Sequence, residues 1–509
     1  MAKLTEEQVV QMQNESDRDK LIKVYSNIPY TLMKEEDKGN AYLGTELTQI
    51  GKYYRDYLKG VEFYAEGSNS DYVPADLKFK LASTLIDMQA RFMFGEKPEV
   101  SVMPKGDIGK VSEEAKEHVN ILDDLVNTIL EKNKFEGKVL MGARDSLIGK
   151  RVACLLNFNN TDGITLNFIR STNFVFKSEN DRLVKFVCFN ELNAETLREN
   201  KRYFKKKYEL IDEKVYLTEM IYDGLNNVVE VIAEKKYIPL SRIPAVVIVY
   251  SKLSNDVTGL SDMDEISDFE AYYNKLSNAD IDAERKSMNP TKYTINMDSN
   301  STENLSTGAG SFWDLAQDQN LEYGNASVGI LEPSMHYKDA LKDTTERIKT
   351  SAYERVGMPN VTLETLQGVI TSGKSLKAIY WSAILRCKEM MKTWIPAIKD
   401  ITNIIIEGCY KFPDIVKKFE YSKDTAQPVE FKIVVTPKSP LPEDTIEEKS
   451  IDLEEVANKT MSRKAYMKKW RNLTDEEISA ELEQIALEQQ LIEEVHFMQD
   501  SFQNTDFDA

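Results

Sequence analysis

One stretch constrains the fold of this chain more than any other. Leu376, Ile379, Ala383, Cys387, Met390, Trp394, Ile398, Ile401 and Ile405 follow one another three or four residues apart. Nine positions in that rhythm mark one face of an α-helix. The span from Ser375 to Tyr410 is 36 residues, about 54 Å at the helical rise. Pro396 lies inside it, where it removes one backbone donor and crowds the preceding turn, so a kink is expected near Thr393 to Pro396. A helix this long, kinked and amphipathic is unusual for the core of an ordinary enzyme.

The rest of the chain divides around that helix. Its 509 residues suffice for about three domains. Leu77 to Phe94 and Val119 to Leu130 read as helices, the first stopped by Gly95 and Pro98. Arg151 to Phe158, Gly163 to Phe168, Phe174 to Lys177 and Leu183 to Phe189 read as short strands between turn signals. Tyr203 to Leu217, Val228 to Tyr237 and Ile238 to Tyr250 continue the sheet. A long acidic helix starts after Gly259: Ser261 and Asp264 fit a capping box, and Asp262, Asp264, Glu265 and Asp268 suit the positive end of the helix dipole. Ile266, Phe269, Tyr273 and Leu276 form a narrow apolar seam on it, and Pro290 ends it. Residues 291–332 are rich in small polar side chains, with candidate strands at Thr291 to Met297 and Gly310 to Leu315. A second helix runs from Pro333 to Val356 before Gly357 and Pro359. Phe431 to Val435 is a strand, Pro437, Pro440 and Pro442 stiffen the exit, and Thr474 to Glu477 is a second capping box.

Several function classes drop out on composition. The longest apolar run, Ala245 to Tyr250, is far short of the roughly 18 residues that span a bilayer. The polar start, Met1 to Asp19, gives no secretory signal, so folding in a cytoplasm is expected. Cys154, Cys188, Cys387 and Cys409 lack metal-type spacing and read as reduced, mostly buried thiols. His118, His336 and His496 are scattered, which leaves zinc or histidine-based catalysis little to work with. No cofactor or metal is expected. The net charge is −19, and residues 441–509 hold 7 basic and 18 acidic residues, a net −11. Such a balance opposes tight wrapping of nucleic acid, whose non-specific affinity comes from Lys and Arg on phosphates.

Two motifs invite chemistry. Gly368 to Ser375 satisfies G-x-x-x-x-G-K-[ST] ahead of a helix, the pattern of a phosphate-cradling loop. Val361 to Gln367 is not a buried apolar strand, however, and the helix that follows is too long for a strand-helix-strand unit, so a Ser or Gly helix start explains the motif better; a P-loop NTPase using Lys374 and Ser375 stays as the alternative. Lys201, Arg202 and Lys205 to Lys207, interleaved with Tyr203, Phe204 and Tyr208, could bind single strands. An exposed hairpin between two strands is the plainer explanation.

Together the motifs carry a resemblance. Tyr53-Tyr-Arg-Asp-Tyr57 followed by Leu-Lys-Gly60 resembles an early Tyr-Tyr-x-Gly type segment, and Asp87 through Phe94-Gly95-Glu-Lys-Pro98 resembles a helix ending in G-x-x-P. Ile243-Pro244, Gly259-Leu-Ser261-Asp262, Tyr273-Asn274, Ser277 and Asp280 are similar to a signature leading into a stem helix. Ser372-Gly373-Lys374-Ser375-Leu376-Lys377 is similar to S-G-x-[AS]-L-K at the start of a long helix, with Ser375 where Ala is common. The family is that of the portal proteins of tailed bacteriophages, specifically of long-tailed phages of Gram-positive hosts.

The resemblance implies an α+β, predominantly helical portal fold with wing, stem, clip, long kinked helix, tunnel loop and helical crown. It places the wing at residues 1–260, the first stem helix at 261–286, the clip at 287–333 and the second stem helix at 334–356. The tunnel loop falls at 357–371, with Asn360, Val361, Thr362, Leu363, Glu364, Thr365, Leu366 and Gln367 toward the channel. The long helix and a wing return strand take 372–436, with Ser372, Gly373, Lys374 and Lys377 at the helix start and Pro396 at the kink; crown and acidic tail take 437–509. It further implies a non-enzymatic ring, commonly of twelve copies, at one vertex of the virion, assembled in the host cytoplasm without a membrane. Double-stranded DNA would pass through transiently. The partners implied are the terminase large subunit, which would hydrolyse the ATP, the major capsid and scaffolding proteins, and a head-completion adaptor.

Overall fold

The computed structural model describes residues 28–488, apart from positions 29, 39, 41, 160, 255 and 257 and the segments 64–72, 107–111, 194–199, 251–252, 289–290, 299–314, 319–324, 332–334, 362–372, 420–429, 439–444 and 472–476. The chain forms two compact units, Met1–Val361 with Tyr380–Pro440, and Thr362–Ile379 with Leu441–Ala509.

The first unit opens with helices α1 (Tyr30–Glu36), α2 (Leu43–Lys59), α3 (Leu81–Phe94), α4 (Glu113–Lys132) and α5 (Phe135–Gly149). The Ser112 hydroxyl caps α4 by accepting from the Ala115 amide at 3.3 Å. Helix α3 ends at Phe94 as the Gly-Pro signal predicts, but it begins four residues later than Leu77. Residues 73–79 form neither helix nor strand, and Lys80 is left-handed (φ 53°, ψ 40°) at the entry to the helix. The helix α5 follows α4 after only two residues and gives no separate signal in its apolar spacing; its buried face includes Gly142 and Gly149, and Phe168 sits where a Cβ of Gly142 would go.

Strands β1 (Glu99–Pro104), β2 (Arg151–Asn159) and β3 (Gly163–Arg170) precede a five-stranded antiparallel sheet of β4 (Phe174–Glu179), β5 (Arg182–Glu191), β6 (Arg202–Ile211), β7 (Lys214–Asp223) and β8 (Val228–Ile238), ordered as in the chain. The stretch from Tyr203 to Leu217 turns over at Asp212 and Glu213, both at positive φ (48° and 61°), a two-residue hairpin geometry that matches strand twist. Strand β9 (Ala245–Val249) pairs with β2, which lies between it and β3 and is buried from Arg151 to Leu156. Helix α6 (Asp262–Met288), the pair β10 (Thr291–Ile295) and β11 (Ser327–Leu331), and α7 (Lys338–Arg355) come next. The candidate strand at 310–315 lies outside the described residues except for Leu315.

The long apolar stripe splits into two helices, α8 (Gly373–Ile379) and α9 (Trp381–Lys411), so the continuous helix expected over 375–410 is corrected here. The interruption is at Tyr380 (φ −90°, ψ 11°), whose ring stacks on Phe92 at 6.0 Å. Pro396 stands inside α9, which stays helical on both sides. From Met390 onward α9 is the central core helix: Trp394, Ile398, Ile401 and Ile405 are buried as the spacing predicts, and Phe94 meets Trp394 edge-on at 4.9 Å. Gly408 lets Phe158 pack against the backbone, where a Cβ would come within 2.0 Å. A short helix, α10 (Pro413–Val416), follows, and β12 (Phe431–Thr436) returns to pair antiparallel with β1, tying the last strand of this unit to its first.

The second unit holds α8, α11 (Thr445–Ala457), α12 (Arg463–Arg471) and a helix over residues 477–488. Asp452 on α11 accepts from Trp470 Nε1 and pairs with Lys469, both at 2.7 Å, which fixes α12 against α11. Of the capping box at 474–477 only Glu477 is described. The fold is α+β with helix predominant.

Candidate functional site

Helices α6 and α7 form the candidate site. They lie antiparallel, joined near one end by the ion pair of Glu265 with Arg355 and near the other by Lys338 with Glu284 at 2.6 Å and Tyr337 with Asp280 at 3.4 Å. Helix α7 buries only Ala352.

The face that α6 buries is not the apolar seam alone. Ile266 is buried and Phe269 packs against the core, while Tyr273 meets Phe79 edge-on at 5.3 Å and Leu276 is half-buried. Beside them runs a polar row at four-residue intervals: Glu270, Asn274, Asn278 and Asp282. Glu270 accepts from the Val61 and Ala82 amides (2.9 and 2.7 Å), Asn274 from Phe79 (3.1 Å), Asn278 from Leu77 (2.8 Å) and Asp282 from Ala75 (2.9 Å). Asn274 and Asn278 also donate to the Val61 and Leu77 carbonyls at 3.1 and 2.8 Å, and Arg285 donates to Val73. Four helical residues advance about 6.0 Å and two extended residues about 6.6 Å, so every fourth side chain of α6 can meet every second amide of a strap. The alternate amides of Ala75, Leu77 and Phe79 follow that spacing. Burial pushes the Glu270 carboxyl up from its ordinary range, against the two backbone amides that favour its charge.

The N-terminal acids of α6 do different work from one another. Ser261 accepts from the Met263 amide at 3.1 Å and donates to the Ile148 carbonyl at 2.7 Å, so the serine half of the capping box is present; Asp264 accepts from Gln49 at 3.0 Å instead. Asp262 is 4% exposed and bonds Arg386 of α9 at 2.8 and 2.9 Å and the Tyr250 hydroxyl at 3.0 Å. Arg386 also donates to Gln89 and Tyr250, each at 2.8 Å. Burial opposes the Arg386 charge, but Asp262 outweighs it and raises the guanidinium pKa, while burial and then Asp262 push the Tyr250 phenol up. Asp262 is therefore a buried partner of Arg386, whereas Asp264 and Asp268 are exposed and Glu265 is half-buried. Gly259 (φ 80°) sits where a Cβ would be 2.5 Å from the Tyr250 carbonyl, which explains glycine at the turn into α6.

After α7, Gly357 (φ 64°) and Met358 turn the chain, and Asn360 donates back to Glu346 and Thr350 at 3.1 and 3.2 Å. Val361 is half-buried. Thr362, Leu363, Glu364, Thr365, Leu366, Gln367 and Ser372 lie outside the described residues; Gly373 and Lys374 open α8, and Lys377 is exposed on it. The element described before this loop is helix α7 followed by turn and coil, with no strand to feed a phosphate loop among the described residues.

The basic run is corrected. It forms β6, a central strand, not an exposed hairpin. Lys201 pairs with Glu191 at 2.7 Å, Lys206 with Glu219 at 3.2 Å, Lys207 with Glu209 at 2.9 Å, and the 7%-exposed Lys205 with Glu36. Glu36 also meets Lys185 at 2.7 Å; burial alone would raise its carboxyl, but the two lysines draw it down to about 2. These cations are occupied by carboxylates. Cys154, Cys188 and Cys409 are free and buried, their thiols pushed up to about 12 by burial, while Cys387 is partly exposed and pushed up to about 11. Among the described residues no three metal-ligating side chains cluster, and no helix is long and apolar enough to cross a membrane.

No curated protein matches the chain. A solved structure described as the neck of an empty GTA particle computed with C6 symmetry contains a similar chain, at 9% identity and a TM-score of 0.36, covering 76% of this chain and 88% of that one. The family described as phage portal protein, SPP1 Gp6-like, matches residues 40–494, which include helices α6 and α7, the strap, the buried Asp262–Arg386 pair and most of the second unit. The chain belongs to the SPP1 Gp6-like family of phage portal proteins.

Proposed function

We propose that this portal protein is the repeating subunit of a closed ring, twelvefold in the capsid, whose axial channel passes double-stranded DNA during packaging and ejection. Membership of the portal family over residues 40–494 carries this reading. Residues 1–260 form the wing, 261–286 and 334–356 the stem, 287–333 the clip, 357–371 the tunnel loop, 372–436 the long helix and return strand, and 437–509 the crown and acidic tail. A head-to-tail contact closes into a ring when its rotation divides a full turn. The thinly buried α7 and the exposed Asp264 and Asp268 support a channel-facing stem, since like charge keeps phosphate sliding where a basic lining would hold it. The ring docks the terminase large subunit, which supplies ATP hydrolysis, and joins capsid and scaffolding proteins to the head-completion adaptor. The subunit itself hydrolyses nothing.

The test is electron microscopy with native mass on one purified sample. A ring with an axial hole and a mass of 12 × 58.3 kDa, about 700 kDa for a closed cyclic assembly, is expected. Compact particles of one or two subunits without a hole would overturn the reading.

A further inference from the structure

In the second unit charge is sorted along the chain. Residues 441–509 hold seven basic side chains, and five of them, Arg463, Lys464, Lys468, Lys469 and Arg471, fall within the nine residues of α12, which has no acid. Lys464, Lys468 and Arg471 are spaced by four and three and so share one face, where like charges weaken the helix unless anions oppose them. Ser462 caps α12 by accepting from the Ala465 amide at 3.1 Å, and Met467 is buried beneath it. Asp452 takes Lys469 at 2.7 Å and Glu481 takes Arg471 at 3.0 Å, while the side chains of Arg463, Lys464 and Lys468 are exposed. In a chain of net charge −19 this is a concentrated cationic surface, of the kind to which phosphates are drawn.

The same unit carries the countercharge. Its helix over residues 477–488 buries Ile478 and reaches α12 through Glu481. Residues 489–509, outside the described residues, continue from that helix with Glu493, Glu494, Asp500, Asp506 and Asp508 and no Lys or Arg, five negative charges against the five positive ones of α12. The other parts of 441–509 outside the described residues, 441–444 and 472–476, hold two acids each. Phe497, Phe502 and Phe507 lie between the acids of 489–509 and give it apolar rings to rest on lysine stems. Helix α12 is about 14 Å long, and a chain of this length reaches up to about 70 Å. We infer that the acidic segment 489–509 lies over the cationic face of α12 in the same chain and withholds that face from nucleic-acid phosphates. The contact is within one chain and stands whether or not the subunits close into a ring. Opposed charges fix where the segment rests, and a duplex would have to displace it before touching α12.

Carbodiimide coupling, which joins a carboxylate to an amine in direct contact, tests this in the full-length protein prepared from a mixture of natural and isotope-labelled chains. Amide links from Glu493, Glu494 or Asp500 to Lys464 or Lys468 are expected within single chains, and their yield should fall in about 0.5 M salt, where screening acts beyond roughly 4 Å. No link between 489–509 and α12, or links that join natural to labelled chains, would overturn the inference. As a second arm, a full-length variant with Glu493→Gln, Glu494→Gln, Asp500→Asn, Asp506→Asn and Asp508→Asn should bind a short DNA duplex at low salt about tenfold or more tightly than the natural protein. Adding Lys464→Gln with Lys468→Gln should abolish the gain, whereas Lys388→Gln with Lys392→Gln, which removes the same charge from α9, should leave it. With each variant folded by circular dichroism, equal affinity before and after neutralisation, or a gain that does not depend on Lys464 and Lys468, would also overturn the inference.

Discussion

Replacing Arg386 by Met would leave the Asp262 carboxylate buried with only the Tyr250 hydroxyl to satisfy it. Breaking one side of such a pair costs about 3 kcal/mol, whereas replacing both partners with apolar groups costs far less. Urea unfolding of Arg386→Met and of Asp262→Leu with Arg386→Met should therefore show the single variant as the less stable. Gly259→Ala should destabilise as well, by roughly 2 kcal/mol or more, because the new methyl meets a carbonyl and the φ is left-handed. Glu36 gives the pH dependence its sign. Its folded pKa lies below the ordinary value, so its contribution is complete above about pH 4.5 and is lost as pH falls toward about 2. Melting temperature followed across that window should drop more steeply in the natural protein than in Glu36→Gln. None of these partnerships is visible in the sequence, since Glu36 and Lys205, or Asp262 and Arg386, are linked only once the chain has folded.

Elements were more legible than partnerships. Apolar spacing located α4, the buried part of α9 and the strand series from Arg151, because each of these faces a core on one side and the periodicity records that. It overlooked α5, whose small-residue face carries little periodic signal, and it joined α8 to α9 because Leu376 and Ile379 keep the rhythm of the next helix although the chain breaks at Tyr380. The basic run misled for a related reason: lysines in alternation with aromatics look solvated until Glu36, Glu191 and Glu219 arrive from other elements, and Glu209 joins them from the same strand. The polar row on α6 escaped altogether, since Asn and Glu at four-residue intervals read as a wet surface. Its worth can be measured. Asn274→Leu and Asn278→Leu should each leave strap amides without acceptors at a cost of about 1–2 kcal/mol. Hydrogen exchange at Leu77 and Phe79 should accelerate while exchange in α4 stays unchanged.

For the whole molecule, the family was readable from short motifs spread along the chain, because each motif is local in the sequence. Lys374→Ala separates the two functional classes: the portal reading expects no change in nucleotide binding, and a loss of binding that the natural protein possessed would favour the NTPase. Helices α6 and α7 differ in how they are mounted. Helix α6 is fastened along nearly its full length, from Ile266 in the core to Arg285 on the strap carbonyl at Val73. Helix α7 buries a single alanine, and Glu284–Lys338 and Glu265–Arg355 fasten its two ends at exposed positions. Exposed ion pairs weaken with ionic strength while buried amide bonds do not. The pair is thus one fixed rail and one sprung rail: added salt weakens the ion pairs at the two ends of α7 and leaves the amide hydrogen bonds of α6 in place, so the second rail is the more compliant of the two.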